Sequence, residues 1–218
     1  MSLKERKDFD KEAAAWDENP VRTKLANDVA DALIAATQPT REMDVLDFGC
    51  GTGLLTLRLQ PLVNVITGAD SSQGMLAVLD AKVRKQGLAN VRTRIVDFEH
   101  GGKIAGVFHL VVSSMTLHHV PDTGTLLRRL YDLLLPGGRL CIADLDLEDG
   151  SFHADNTGVF HYGFDRLHLK GIFQAAGFSE IRDTTAARIV RTGEKGNREF
   201  PVFLITGRKR FPVIEGGL

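Results

Sequence analysis

The sequence predicts an α/β fold built on a doubly wound, mainly parallel sheet with helices on both faces. Short apolar runs alternate with longer amphipathic segments from Met43 onward, a glycine-rich turn follows the first run, and the last two runs look like a hairpin. A chain of 218 residues with 43% hydrophobic and 25% charged residues can bury one sizeable core. We therefore expect a single domain spanning residues 1–218.

Composition argues against several classes of protein. The formal net charge of -1, with both signs scattered, gives no reason to expect nucleic acid as a partner. Cys50 and Cys141 lack the spacing of a disulfide framework or a zinc site, so we expect no metal and a reducing, cytoplasmic location. The N-terminus is polar and no apolar run approaches the roughly 20 residues of a membrane span, so no membrane partner is predicted.

The elements follow in order along the chain. Parallel strands are predicted at residues 43–48, 63–70, 91–96, 108–114 and 139–147, and helices at 21–36, 54–59, 73–86, 123–134 and 166–176. In the fourth helix, leucines recur every three or four residues, so they form one buried face: Leu126, Leu127, Leu130, Leu133 and Leu134. Pro136-Gly137-Gly138 should end that helix and start the fifth strand. Residues 178–190 and 200–209, joined by a polar stretch, predict an antiparallel edge pair.

Ligands of open parallel sheets bind at the carboxyl ends of the strands, and several polar residues stand there. After the first strand comes Asp47-Phe48-Gly49-Cys50-Gly51-Thr52-Gly53, a loop that lets a ligand lie against bare backbone. Asp70 ends the second strand, about 20 residues beyond the glycines, where a carboxylate can accept both ribose hydroxyls. Together they predict a nucleoside-bearing ligand.

Three details favour a sulfonium nucleoside over a dinucleotide. Leu54 stands where the dinucleotide fingerprint expects a small residue. Asp47 would repel a pyrophosphate but suits the ammonium group of an amino acid. Asp97 and Phe98 close the third strand, where a carboxylate can accept from an exocyclic amine and a ring can cover a purine. An NAD-dependent oxidoreductase and a non-catalytic nucleoside-binding protein remain as alternatives.

The chain resembles the class I S-adenosylmethionine-dependent methyltransferases over residues 45–147. Five blocks occur in that family's order: DFGCGTG, GADSS, VDFE, HLVVSSMTLHHV and LLPGGRLCIADLD. FDKEAAAWDENP also looks like the N-terminal lid of small-molecule methyltransferases related to the ubiquinone and menaquinone biosynthetic enzymes. The resemblance implies a Rossmann-like, seven-stranded sheet with an antiparallel C-terminal strand. It also implies a helical lid at 1–40, a cofactor-binding core at 41–147 and a substrate-side loop, helix and hairpin at 148–218.

The resemblance further implies a role for each matching residue, with S-adenosylmethionine as cofactor and S-adenosylhomocysteine as product. Asp47, Gly49, Gly51, Thr52 and Ser114 would contact the methionine part, and the Cys50 thiol would fill space in the same loop. Asp70 would bind the ribose. Ser71, Met75, Asp97 and Phe98 would surround the adenine, and Trp16 would belong to the lid. The fourth strand lacks the Asn/Asp-Pro-Pro-aromatic motif of relatives that methylate nucleic-acid bases. The implied function is methyl transfer to an oxygen, nitrogen or carbon atom of a small molecule.

His118 and His119 follow the fourth strand on the ligand side, and imidazoles titrate near neutral pH. Methyl transfer depends mainly on alignment, so a base is optional and becomes useful when the acceptor is a hydroxyl. We expect His119, ahead of His118, to line the site and serve as that base. Asp144 and Asp146 lie in the fifth strand, where one of them can face the cleft, although an exposed strand end also accounts for acids there.

Overall fold

Seven strands form one sheet in the order β3-β2-β1-β4-β5-β7-β6. The computed structural model describes residues 7–98, 101–193 and 196–212. The strands are β1 (Asp44–Phe48), β2 (Val65–Asp70), β3 (Val91–Ile95), β4 (Phe108–Ser114), β5 (Leu134–Leu145), β6 (Phe178–Gly193) and β7 (Gly196–Lys209). Strands β1 to β5 pair in parallel, whereas β7 lies antiparallel between β5 and β6. The predicted mainly parallel sheet with an antiparallel edge pair is confirmed; residues 194 and 195 of the hairpin lie outside the described residues.

Helices cover both faces of this sheet. They are α1 (Phe9–Glu12), α2 (Pro20–Thr37), α3 (Leu54–Leu59), α4 (Gln73–Gln86), α5 (Thr123–Asp132) and α6 (Arg166–Ala175), with short 3-10 helices at Ala13–Glu18, Gln60–Leu62 and Leu117–His119. Side-chain caps begin the longer helices: Asn19 accepts from Val21 before α2, and Ser72 accepts from Met75 before α4.

The central strands are apolar at successive positions because both faces of the sheet are buried. Val45 and Val112 pack on the side of α2 and α3, while Leu46 and Val111 pack on the side of α5 and α6. Each of these four side chains is at most 1% exposed, and burying a side chain of this size stabilises the fold by about 1.5–3 kcal/mol. The strand ends that carry the polar loops are thereby held in a rigid frame.

The boundary between α5 and β5 differs from the prediction. The helix ends at Asp132, and β5 already begins at Leu134, which pairs with Phe108. The sheet register then shifts, so that the next pair joins Leu110 to Arg139. Leu133 and Leu134 therefore do not extend the helical leucine face, and Pro136 to Gly138 form an irregular part of the strand. The pairing with β4 outweighs the helical spacing of the leucines.

Candidate active site

One cavity of about 1090 Å³ lies at the carboxyl ends of the parallel strands. It exceeds the roughly 300–1,000 Å³ common for small-molecule sites, which leaves room for a nucleoside and a second molecule. The structure brings all of the predicted site residues to its wall: Trp16, Asp47, Gly49, Cys50, Gly51, Thr52, Asp70, Ser71, Met75, Asp97, Phe98, Ser114, His118 and His119. The carboxylates that end three neighbouring strands thus surround one hollow.

The glycine loop is held in place by hydrogen bonds from its backbone N–H groups. The N–H groups of Gly49 and Cys50 donate to the Ala69 carbonyl, that of Gly51 donates to Asp70, and that of Gly53 donates to Cys50. Gly49 has a φ of +71°, and a Cβ there would lie 2.2 Å from Thr116 Oγ1, so only glycine fits. Because four loop N–H groups are already used, the loop is a poor cradle for a pyrophosphate, which counts against a dinucleotide.

Two carboxylates beside the loop lack a cationic partner within the described ranges. Burial raises the pKa of Asp47 to about 7, against a hydrogen bond from Thr56 Oγ1 at 2.6 Å, and nearby Asp70 raises it further. Burial also raises the pKa of Asp70, although the backbone N–H groups of Ser72 and Gly51 oppose the shift. A cationic ligand in the cavity would relieve this cost.

The end of the cavity at β3 combines aromatic rings with the charged side chains of Asp97 and Arg129. The Phe98 ring stacks on Phe48 with centroids 5.1 Å apart, and the Arg129 guanidinium lies 5.4 Å from the Phe98 centroid. On the neighbouring side Met75 is buried, and a Cβ built on Gly51 would meet only its sulfur, at 4.0 Å. A flat ring would fit between these groups.

The other end of the cavity holds a buried imidazole and carboxylate pair. His118 Nδ1 lies 2.7 Å from Asp144 Oδ1, and both side chains are at most 1% exposed. Since a carboxylate only accepts, Nδ1 carries a proton, and in the neutral ring Nε2 is then an acceptor. Nε2 is buried and has no hydrogen-bond partner among the described residues. Burial acts to raise the pKa of Asp144, but His118 and two backbone N–H groups hold it below its ordinary value. Asp144 is buried against His118 and does not itself line the cavity, whereas Asp146 forms a two-point contact with Arg166.

Two further imidazoles pack against His118. The ring centroid of His119 lies 4.2 Å away and that of His153 lies 5.0 Å away. Burial, followed by the proximity of His118, lowers the pKa of His119 to about 4 and that of His153 to about 3. His119 Nδ1 contacts the Gly158 carbonyl at 2.8 Å, while His153 Nε2 is buried without a partner. Both imidazoles are neutral at physiological pH. Within the described ranges, no group of three metal-ligating side chains has the geometry of a metal site.

Residues 45–138 match the family described as methyltransferase domain. Over these residues the chain is similar to the class I S-adenosylmethionine-dependent methyltransferases. An uncharacterised methyltransferase of Schizosaccharomyces pombe is 36% identical over 63% of this chain and 54% of its own length. A ubiquinone biosynthesis O-methyltransferase of Aeromonas salmonicida is 28% identical over 59% and 51%, respectively. The chain therefore spans about half the length of these curated relatives.

A solved structure of an S-adenosylmethionine-dependent methyltransferase from Aquifex aeolicus superposes with a TM-score of 0.67. The alignment covers 91% of this chain and 97% of the other, at 20% identity, and shows that the two share a fold. S-adenosylmethionine is the cofactor of this methyltransferase class. Asp47 and Asp70, which lack a cationic partner within the described ranges, both line the cavity, and a sulfonium nucleoside would bring positive charge to them.

The N-terminal segment of the chain is anchored to the glycine-loop end of the cavity by two carboxylates. Asp17 accepts from Thr52 Oγ1 at 2.6 Å and pairs with Lys82. Asp10 accepts from the Gly74 N–H at 2.7 Å and from Ser72 Oγ, at the start of α4. The Thr52 hydroxyl is thus engaged by the N-terminal segment.

Aromatic side chains of the same segment reach the cavity wall. Phe9 makes an edge contact with Trp16 at 6.0 Å and another with His119 at 5.1 Å, measured between centroids. The segment therefore touches the histidine end of the cavity as well as the glycine loop.

Phe9, Arg22, His153 and Arg191 are among the cavity-lining residues that sequence reasoning did not assign to the site. They belong to the N-terminal segment, α2, the loop after β5 and the edge strand β6. Phe9 begins the segment that resembles a lid, whereas Arg22 and Arg191 stand in no motif and carried no local signal. The fold brings these residues together from segments that are far apart in the sequence.

None of the helices in the described ranges combines the length and apolar character of a membrane span.

Proposed function

We propose that this chain is an S-adenosylmethionine-dependent methyltransferase that acts on a hydroxyl oxygen of a small molecule. The observation that carries the proposal is the continuity of one cavity from the glycine loop and strand-end carboxylates to the buried pair of His118 and Asp144. The relative named as an O-methyltransferase supports the choice of oxygen. The buried, free thiols of Cys50 and Cys141 support a reducing compartment, and we propose the cytoplasm.

In this proposal the cofactor lies along the glycine loop, with its amino end toward Asp47 and its ribose hydroxyls toward Asp70. Asp70 accepts one hydrogen bond on each carboxylate oxygen, from Gly51 and Ser72, which leaves a lone pair on each for a ribose hydroxyl. Phe98 and Met75 cover the adenine. When bound, S-adenosylmethionine supplies an electrophilic methyl group on a positively charged sulfur.

His118 is the better base on physical grounds, ahead of His119. Its Nε2 is free to accept a proton, and Asp144 holds the ring and balances the charge of the imidazolium that would form. His119 and His153, with pKa values lowered to about 4 and about 3, bind protons weakly at neutral pH. They line the approach to His118 and exclude water. An acceptor hydroxyl that reached Nε2 would satisfy a buried polar atom that now costs about 1–3 kcal/mol.

Calorimetric titration with S-adenosylmethionine and with NAD tests the cofactor. We expect binding of S-adenosylmethionine alone, weakened roughly ten- to a hundredfold in Asp70→Ala, which loses hydrogen bonds to a charged group. Asp31→Ala is the matched control, since the Asp31 side chain is 67% exposed and pairs only with Arg58 on the surface. Binding of NAD without S-adenosylmethionine would reverse the proposal.

Transfer of a labelled methyl group to a metabolite library tests catalysis. We expect label in a hydroxyl-bearing small molecule, and reduced transfer with Asp70→Ala at a cofactor concentration that just saturates the wild type, because less of the variant binds the cofactor. Cofactor binding with no transfer to any member of the library or of a cell extract would instead favour a non-catalytic binding protein. Label on nitrogen or carbon would contradict the oxygen assignment alone.

A further inference from the structure

Two elements remote in sequence meet at the mouth of the cavity, and each presents a valine followed by an arginine. Val21 and Arg22 lie in the first turn of α2, and Val190 and Arg191 lie on the edge strand β6. The valines are 46% and 54% exposed, although both line the cavity. The mouth therefore offers an apolar surface flanked by guanidinium groups.

Positive charge at this mouth exceeds the negative charge paired with it. Arg22 and Lys7 share one carboxylate, that of Glu12, at 3.2 and 2.9 Å. Arg191 pairs with no carboxylate in the part of the chain that the structure describes; its guanidinium lies 4.3 Å from the centroid of the Phe152 ring. Burial and the charge of Arg22 lower the pKa of Arg191, so the two guanidinium groups repel each other across the mouth. An anion between them would reverse that repulsion.

The unpaired guanidinium is connected to the proposed base by a short row of rings. Phe152 makes an edge contact with His153 at 4.8 Å between centroids, and His153 packs on His118 at 5.0 Å. A molecule with its hydroxyl near His118 would therefore extend past His153 and Phe152 toward Arg191.

We propose that the methyl acceptor carries an anionic group, a carboxylate or a phosphate, which binds between Arg191 and Arg22 at the cavity mouth. The apolar body of the acceptor lies on Val190 and Phe152. The inference rests on the proposed function, because it assigns the two ends of the same acceptor. A guanidinium binds either anion through two parallel hydrogen bonds, which gives both affinity and orientation.

Paired ligands test this inference by calorimetry, in the presence of S-adenosylhomocysteine. The probes are hydroxyl-bearing aromatic and aliphatic carboxylates and phosphate monoesters, each matched with its neutral amide or with the parent alcohol. We expect the anionic member of a pair to bind, and Arg191→Gln to weaken it roughly ten- to a hundredfold. Arg191→Lys should recover part of the affinity because it keeps the charge without the planar fork. The carboxylate and phosphate arms separate the two kinds of anion.

Arg188→Gln is the matched control on the same strand, since Arg188 pairs with Glu199 at the surface and does not line the cavity. The inference is overturned if neutral members bind as well as anionic ones, if Arg191→Gln binds anions like the wild type, or if no pair binds. Titration of the same proteins with S-adenosylmethionine distinguishes failure of this inference from failure of the proposed function. If the wild type does not bind S-adenosylmethionine, the proposed function itself is contradicted. If it binds S-adenosylmethionine but shows no preference for anions, only this inference is contradicted.

Discussion

The two ends of the cavity are built differently. At the glycine loop, residues close together in sequence satisfy one another: the N–H groups of Gly49, Cys50 and Gly51 reach Ala69 and Asp70 at the end of the next strand. At the histidine end, Nε2 of His118 and Nε2 of His153 are buried and have no hydrogen-bond partner among the described residues. The hydrogen bonds of the glycine loop are therefore already formed without a ligand. The buried nitrogen atoms at the histidine end would gain hydrogen bonds only from a bound molecule.

The largest expected effect is at the histidine end. His118→Gln should lower kcat by roughly 10²–10⁴-fold, the usual contribution of a general base, with cofactor affinity changed less than twofold. The measurement is labelled methyl transfer across pH 5 to 9, combined with calorimetry. Asp144→Asn, which keeps the shape of the pair, should lower kcat in the same direction.

A purely structural His118 would give a different pattern. Both variants would then lose stability and activity in parallel, and the acid limb of the kcat profile would not move. His161→Gln is a suitable control, because His161 does not line the cavity and its Nε2 contacts the Val120 carbonyl.

A smaller effect is expected from the preformed end, and it depends on pH. Asp47 has a pKa of about 7 in the folded protein, raised first by burial, against an ordinary value of 3.8. Between these values the folded state binds more protons than the unfolded state, so the free energy of unfolding of the ligand-free protein falls as pH rises. The slope from this one group approaches about 1.4 kcal/mol per pH unit and ends above pH 7.

Urea unfolding of the wild type and of Asp47→Asn at pH 4.5, 6 and 7.5 measures this contribution. We expect the variant to show a flatter dependence, since its amide does not titrate. Saturating S-adenosylmethionine should also flatten the slope in the wild type, because a cation stabilises the ionised carboxylate. An unchanged slope in the variant would show that Asp47 ionises normally.

The smallest effect is expected where the N-terminal segment joins the two ends. Asp17→Asn removes the charge that pairs with Lys82 and weakens the hydrogen bond from Thr52. A partly exposed ion pair contributes about 0.2–1 kcal/mol, so cofactor affinity should fall by about fivefold at most. Stopped-flow dissociation of S-adenosylmethionine, with Asp31→Asn as control, measures the change. Equal dissociation rates in all three proteins would show that this contact of the N-terminal segment does not help to retain the cofactor.

The sequence by itself predicted the elements whose signals are local. Alternating apolar runs located the five parallel strands, and the motifs at their ends located Asp47, Asp70 and Asp97, because parallel strands bring their carboxyl ends to one edge. The start of β5 at Leu134 was missed, since pairing with Phe108 is a contact between strands that helical spacing does not reveal.

Only the tertiary structure decided the chemistry of the acceptor end. His118 and His119 are adjacent in sequence, and nothing local distinguishes them; the choice depends on Asp144, 26 residues away, whose carboxylate lies against His118 alone. His153 and Arg191 likewise reach the cavity through a loop and an edge strand whose paths no motif specifies. Periodicity and helix capping depend on residues that are neighbours in the sequence. Charge pairing and burial depend instead on which distant segments the fold brings into contact.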